Sequence, residues 1–187
     1  HGTVDTAVEA TRLGAVDFVE KPVSLAKLLR TVERALAVRR NKGERRGVVA
    51  QNAIPAGKSQ PIRALREQRN LELVHVNEQI ADIATAAHLL EFDSVHGRYG
   101  GSVSAGDGQL EIDGAAVGYS SVGSPGEVAW EAAAVDIVLE CSGRFRTVDL
   151  LAPYVDRGVR KVIVAAPVKD DRVLNIVMGC NDHLYDS

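Results

Sequence analysis

The sequence is poor in the residues that form most metal, redox and membrane sites. It has only two cysteines, Cys141 and Cys180, which are too far apart for a C-x-x-C motif. Its five histidines show no ligand spacing, so we predict no metal site. No apolar run approaches the ~20 residues of a membrane helix, so we expect no membrane partner. Scarce cysteine without a secretory signal favours a cytoplasmic location.

Charge is distributed unevenly along the chain. Residues 1–70 contain 14 Lys and Arg against 7 Asp and Glu, whereas residues 71–187 contain the remaining 8 against 18. Such asymmetry indicates segments of different origin or with different partners. The densest basic stretch, RRNKGERR at 39–46, has neither aromatic residues for base stacking nor a recognition-helix pattern. We interpret it as a solvated linker and expect no nucleic-acid partner.

The stretch VAQNAIPAGKSQPIRALRE, residues 49–67, has the strand–loop–helix order of a phosphate-binding loop. A P-loop needs a glycine where this chain has Asn52. A G-x-G-x-x-G fingerprint would place its three glycines at Ala53, Pro55 and Lys58. Because all these positions lack glycine, we predict that the loop does not work as either phosphate motif.

Residues 1–38 carry a helix–strand–helix pattern. TVDTAVEATRLGA and SLAKLLRTVERALAV have helical apolar spacing, and VDFVEKP between them is typical of a short strand. From residue 1 to residue 36 this order resembles the end of a response-regulator receiver domain, particularly of bacterial enhancer-binding regulators. In that family the lysine that corresponds to Lys21 contacts a phosphorylated aspartate. The acceptor aspartate has no counterpart here, so we interpret Lys21 as a surface lysine.

The pattern from Leu71 onward predicts alternating strands and helices. LELVHVNE, VDIVLECSG, KVIVAAP and LNIVMG are strand patterns, QIADIATAAHLL and TVDLLAPYVDRG are helical, and GSVSAGDGQLEIDGAAVGYSS has short strands joined by turns. Strands that flank a helix in this way are typical of a parallel sheet. We therefore predict an α/β fold with an incomplete, Rossmann-like doubly wound sheet over residues 47–187. Residues 1–38 would form an appendage and 39–46 a linker.

Several motifs after residue 71 occur together in one enzyme family. VNE, HLLEFDSVHGRY, DIVLECSGRF, GVRKVIVAAPVKDD and NIVMGCNDHLYD resemble, in order and spacing, the N-terminal NAD-binding domain of glyceraldehyde-3-phosphate dehydrogenases, including their erythrose-4-phosphate branch. The resemblance implies NAD as cofactor. It places Asn77 and Glu78 at the adenosine ribose, Ser142 and Gly143 against the dinucleotide, Phe145 in the pocket wall and Ala165 beside the nicotinamide.

The family's first strand and fingerprint read V-A-I-N-G-F-G-R-I-G, and VAQNAIPAGK fits that frame without a gap. Residues 47–68 would then supply the first strand and helix. Alternatively, they belong to the regulator-like segment and join the dehydrogenase-like part near Arg69, which we favour from sequence. In either case Ala53 would have to adopt a glycine turn and Lys58 would crowd the helix. We therefore expect weak or lost NAD binding.

The resemblance leaves three functional hypotheses. The first is an NAD-binding fragment of a phosphorylating aldehyde dehydrogenase-type oxidoreductase. The family's nucleophilic cysteine, in S-C-T-T-N-C, and its activating histidine have no counterpart in 71–187, so we predict no catalytic residue. The second is a two-component signalling fragment, and the third is a fusion of the two without function. Family resemblance also implies a homo-oligomer.

Overall fold

The computed structural model describes residues 46–54, 58–177 and 179–185. The predicted appendage, 1–38, and all of the linker except Arg46 lie outside the described residues. Arg46 begins the first strand and is not part of a linker.

The described residues form nine strands and three α-helices. The strands are β1 (Arg46–Gln51), β2 (Leu71–Asn77), β3 (Phe92–Asp93), β4 (Gly97–Arg98), β5 (Val103–Gly106), β6 (Gln109–Ile112), β7 (Ala115–Ser120), β8 (Ile137–Glu140) and β9 (Lys161–Val164). The helices are α1 (Gln60–Leu65), α2 (Ile83–Glu91) and α3 (Val148–Asp156). Short 3-10 helices cover Pro125–Glu127 and Asp182–Leu184.

Seven strands form one sheet in the order β5-β6-β7-β2-β1-β8-β9. The five strands from β7 to β9 are parallel, and β5 and β6 extend the sheet as an antiparallel meander. This confirms the predicted α/β class with a mostly parallel, Rossmann-like sheet. The chain winds outward from β1 to β2 and β7, and then returns to place β8 on the other side of β1. Strand order therefore reverses between β1 and β8.

The first strand is central because its sequence suits a fully buried position. Val48, Val49 and Ala50 are completely buried, as expected for a parallel strand covered on both faces. β1 pairs with β2 on one side and with β8 on the other. Residues 46–51 and 60–65 thus supply the first strand and helix of the sheet, as the first of the two sequence alternatives required.

Apolar side chains cover both faces of the sheet. One face packs against α1 and α2 through a cluster that includes Ile62 and Leu90. The opposite face packs against α3 through a cluster that includes Trp130 and Tyr154. Burial on both faces fixes the register of the sheet, because a slip of one residue would exchange the two sets of side chains.

The short strands of the meander are joined by turns, as the sequence predicted, and the turns lie at two Asp-Gly pairs. Asp107 and Gly108 have φ of 42° and 77°, and Asp113 and Gly114 have φ of 54° and 80°. Two consecutive residues of positive φ favour a tight hairpin turn whose twist matches that of the strands.

Two predicted elements differ from the structure. The helix expected from Gln79 starts only at Ile83, because Asp82 caps it by accepting a hydrogen bond from Thr85 N at 2.7 Å. The strand expected over LNIVMG is wrong for its described residues. Asn175, within that segment, is buried and exchanges side-chain hydrogen bonds with the Val168 backbone at 3.1 Å, so side-chain bonds replace strand pairing there.

Candidate functional site

Three strands end side by side at the point where strand order reverses. In the sheet register, Gln51 at the end of β1 lies between Asn77 of β2 and Glu140 of β8. The carboxyl ends of parallel strands at such a reversal form the crevice in which open α/β sheets bind ligands. The residues that follow these strands, from Glu78 and from Cys141 onward, therefore line the candidate site.

Glu78 is buried at this edge with half of its carboxylate unused. Its side chain is 0% exposed, and Oε2 accepts a long hydrogen bond of 3.4 Å from Ile54 N. Oε1 has no partner among the described residues. Burial raises the pKa of Glu78, while the backbone N–H groups of Ile54 and Ile80 and the nearby Lys58 charge act in the opposite direction. A buried oxygen without a donor is costly, so this geometry fits a ligand that brings a hydroxyl group.

Asn77, in contrast, is fully occupied by the protein. Its amide nitrogen donates to Gln51 Oε1 and Val122 O, both at 3.0 Å. Its amide oxygen accepts from Ser120 Oγ at 2.8 Å and from Val122 N at 3.0 Å. Both donors and both acceptor sites of the amide are therefore used, and Asn77 holds the segment after β7 against β2.

A hydrogen-bond network that no sequence pattern indicated continues behind Asn77. The hydroxyl of Ser120 donates to Asn77, so the contact of 2.7 Å between Ser120 Oγ and His75 Nε2 has the imidazole as donor. Burial lowers the pKa of His75, which favours this neutral form. Gln51 closes the network at β1, and its Nε2 has no partner in the described part of the chain. Only cross-strand register brings these residues together.

Ser142 and Gly143 form the turn that follows β8. Ser142 N donates to Glu140 Oε1 at 2.7 Å, and Ser142 Oγ accepts from Arg144 N at 3.0 Å. Gly143 has a φ of 72°, in the region that only glycine enters without strain. The turn is therefore built by its own residues and lies at the mouth of the crevice.

The two other predicted site residues lie further along the same edge. Phe145 is partly buried, and its ring stands perpendicular to that of Tyr154 with centroids 6.5 Å apart. Ala165 is exposed, and its backbone N donates to Glu140 O at 2.8 Å, which extends the pairing of β9 with β8. Ala165 thus sits beside the end of β8.

Glu140, which the sequence did not single out, is the most enclosed acid of the site. It is 0% exposed, and its Oε2 accepts from Tyr154 Oη at 2.5 Å while Oε1 accepts from Ser142 N. Burial raises its pKa, and the bonds from Ser142 and Tyr154 only partly oppose this. The carboxyl group therefore ties helix α3 to the turn after β8 at a cost in desolvation.

Glu140→Gln should make the protein less sensitive to rising pH. A carboxyl whose pKa is raised by folding contributes its full stability below the ordinary glutamate pKa, and that contribution is lost as pH rises through the folded value. The amide stays neutral and can still accept from Ser142 N. In urea unfolding between about pH 4.5 and 8, the free energy of unfolding of Glu140→Gln should rise relative to that of the parent until the pH passes the folded pKa of Glu140. Glu111→Gln, on the exposed face of β6, is the control. A constant difference across this range would contradict the assignment.

In the loop after β1, the left-handed backbone conformation falls on a different residue from the one that the sequence predicted. Asn52, with a φ of 48°, and not Ala53, takes the left-handed conformation, which asparagine tolerates better than alanine. Its Oδ1 accepts from Gln79 N at 2.9 Å, and this bond ties the end of β1 to the end of β2. Ala53 and Ile54 are buried at 0% and 1% exposure, whereas Lys58 is exposed and does not crowd the helix.

The cysteine beside the site is unsuited to nucleophilic chemistry. Burial, followed by the charge of Glu140, raises the pKa of Cys141 to about 12, so the reactive thiolate is scarce near neutrality.

Among the described residues no group of three His, Cys, Asp or Glu side chains is placed to hold a metal ion. Within the same part of the chain, no helix is long and apolar enough to cross a membrane.

Comparison with known proteins identifies related sequences. Residues 57–148 match the family described as glyceraldehyde 3-phosphate dehydrogenase, NAD binding domain. The chain is 54% identical over 125 residues to glyceraldehyde-3-phosphate dehydrogenase 3 of Nostoc sp., 67% of this chain and 37% of that protein. It is 39% identical over 124 residues to the glyceraldehyde-3-phosphate dehydrogenase of Geobacillus stearothermophilus and 36% over 124 to the cytosolic one of Chondrus crispus; each match covers 66% of this chain and 36% of the relative.

These matches bear on two of the sequence interpretations. The family match begins at residue 57, upstream of the junction expected near Arg69. The receiver-like interpretation of residues 1–36 receives no support from them. The matched part spans little more than a third of the length of the relatives. Residues 57–148 are thus similar to the NAD-binding domain of glyceraldehyde-3-phosphate dehydrogenases, and about two thirds of this chain aligns with such dehydrogenases.

Proposed function

We propose that this chain binds NAD in the crevice at the carboxyl ends of β1, β2 and β8. It would be the nucleotide-binding part of a phosphorylating aldehyde dehydrogenase-type oxidoreductase of the glyceraldehyde-3-phosphate or erythrose-4-phosphate class. The observation that carries the proposal is the unpartnered Oε1 of Glu78, buried at the point where strand order reverses. Bound NAD would supply the hydride acceptor for aldehyde oxidation.

Each site residue then has a defined task. Glu78 accepts the hydrogen bonds from the ribose hydroxyls. The amide of Asn77 makes all its hydrogen bonds within the protein, so Asn77 holds the end of β2 in place and does not contact the ribose. Ser142 and Gly143 face the dinucleotide from the turn after β8. Phe145 forms part of the pocket wall, and Ala165, exposed at the end of β9, lies beside the nicotinamide.

We further propose that NAD binding is weak. The glycine positions of the family fingerprint hold Ala53, Pro55 and Lys58, so the backbone cannot approach the pyrophosphate as closely as glycine permits. Ala53 and Ile54 are packed in the core and do not present their side chains to a ligand. Loss of several charge-assisted hydrogen bonds, each ~1.5–3 kcal/mol, limits the affinity to about millimolar. Family resemblance and the cytosolic relative also lead us to propose a cytoplasmic homo-oligomer.

Calorimetric titration of NAD and NADP tests the site. We expect a dissociation constant for NAD of about 1 mM or weaker, and weaker binding of NADP, because the Glu78 carboxylate repels a 2′-phosphate. Glu78→Gln removes the charge and should narrow the difference between the two cofactors while weakening NAD by roughly 10-fold.

Glu72→Gln is the matched control, since Glu72 is an exposed glutamate on the same strand. Its titrations should equal those of the parent. Micromolar NAD binding would show that the loop from Ala53 to Lys58 holds phosphate after all. NADP binding tighter than NAD would refute the role of Glu78.

A further inference from the structure

One side-chain contact crosses the mouth of the crevice. Gln79 directly follows Glu78 after β2, and Arg144 directly follows Gly143 after β8. The Nη1 of Arg144 donates a hydrogen bond to Oε1 of Gln79, although the two residues are 65 positions apart. Because β1 lies between β2 and β8, this contact passes over the end of β1. We call it the Gln79–Arg144 bridge.

The backbones at both ends of the bridge are fixed. Gln79 N donates to Asn52 Oδ1 at 2.9 Å, and Gln79 O accepts from Ser121 Oγ at 3.4 Å. On the other side, Arg144 N donates to Ser142 Oγ at 3.0 Å. The Arg144 side chain is exposed, and its guanidinium carbon lies 6.0 Å from the centroid of the Phe145 ring. The side chains can therefore separate while the backbones keep their places.

A dinucleotide that reaches from Glu78 to the turn at Ser142 must pass over the end of β1. The Gln79–Arg144 bridge occupies that path, so it has to open. Opening releases a guanidinium group beside the ligand, in a site whose loop lacks the glycines that normally let backbone N–H groups hold phosphate. A guanidinium forms stronger hydrogen bonds to phosphate oxygens than to a neutral amide oxygen, because the bonds to phosphate are charge-assisted and can be bidentate.

We propose that Arg144 exchanges the amide oxygen of Gln79 for the pyrophosphate oxygens of the bound dinucleotide. This rests on the proposed function and adds a phosphate-binding residue to it. Gln79 then competes with the ligand for the Arg144 guanidinium, and Arg144 binds the ligand. The two ends of the bridge therefore have opposite effects on affinity.

This opposition makes the proposal testable with single variants. Gln79→Ala frees Arg144 and should tighten NAD binding by about 2–5-fold. Arg144→Ala also opens the path but removes the cation, and should weaken NAD binding by about 5–20-fold. Arg144→Lys keeps the charge without the planar fork and should recover part of the loss. A contact with a purely structural role would move both ends in the same direction.

The experiment is calorimetric titration of the parent and the variants with NAD, ADP and adenosine. Arg144→Ala should weaken NAD and ADP but leave adenosine unchanged, because adenosine has no phosphate. Arg98→Ala is the control: Arg98 is an exposed arginine of β4 whose Nη2 lies 3.1 Å from Oε1 of Glu91, the last residue of α2. It should bind all three ligands as the parent does.

The outcomes separate this proposal from the proposed function. If the parent binds none of the three ligands, both are overturned. If the parent binds NAD and ADP, but Gln79→Ala and Arg144→Ala shift affinity in the same direction or not at all, the role of Arg144 is overturned and NAD binding stands. Equal weakening of adenosine by Arg144→Ala would likewise refute a contact with phosphate.

Discussion

Trp130→Ala is expected to cost about 3–5 kcal/mol of the free energy of unfolding. Trp130 is 1% exposed, and its Nε1 donates to Pro125 O at 2.7 Å. Its ring packs against Tyr154 at a centroid distance of 5.6 Å and edge-on to His75 at 6.1 Å. Truncation to alanine removes the packed indole ring and leaves a cavity under α3. It also leaves the buried Pro125 carbonyl without its hydrogen-bond donor. Urea denaturation at neutral pH measures the loss.

Trp130→Phe refines that experiment, since it keeps an aromatic ring but lacks the donor and part of the volume. Trp130→Phe should lose less of the free energy of unfolding than Trp130→Ala. Ile80→Ala is the surface control, because Ile80 is 77% exposed and should change stability by no more than about 0.5 kcal/mol. A cost below about 1.5 kcal/mol for Trp130→Ala would mean that this face of the sheet is not a close-packed core.

Gly47→Ala should destabilise the protein by about 1–3 kcal/mol, although alanine is the smallest possible addition. Gly47 lies in the central strand β1, and a Cβ there would stand 2.5 Å from Ala134 O and 3.3 Å from a methyl carbon of Val74. The carbonyl is backbone and cannot rotate away. Gly47 also accepts a hydrogen bond from Asp136 N at 2.9 Å, so strand and loop would have to separate.

Gly106→Ala provides the comparison within the same sheet. Gly106 ends the edge strand β5, its φ is not in the positive range, and a Cβ there meets nothing within 4 Å. This change should therefore be neutral or slightly stabilising, as the alanine reduces the entropy of the unfolded chain. If thermal unfolding showed equal losses for both variants, the close approach of Ala134 to β1 would be wrong.

The parallel sheet was predictable because its strands have clear local signatures. The runs at 137–139 and 162–164 are apolar and mostly β-branched, and the meander turns at Asp-Gly pairs. These features depend only on neighbouring residues. The position of Glu78 at the end of β2 followed in the same way, from a strand pattern that ends in polar residues.

The partners of the site residues could not be predicted, because they depend on register between distant strands. Glu140 meets Tyr154 from a different element, and His75 meets Ser120 across the sheet. The positive φ of Asn52 could not be predicted, since the fingerprint frame gives sequence order but no backbone angles and places the glycine turn at Ala53. The 174–177 segment looked like a strand because buried apolar residues have the same composition whether or not they pair.

The central place of β1 has a consequence for the protein during its synthesis. β1 can pair with β2 as soon as both have left the ribosome, but its other edge must wait for β8, about 60 residues later. At roughly 5–20 residues per second, this interval lasts on the order of 3–12 s. Throughout that time the backbone N–H and C=O groups on this edge of β1 are open to pairing with other nascent chains. A co-translational binder of apolar strands would therefore find its target in the interval before Ile137 appears.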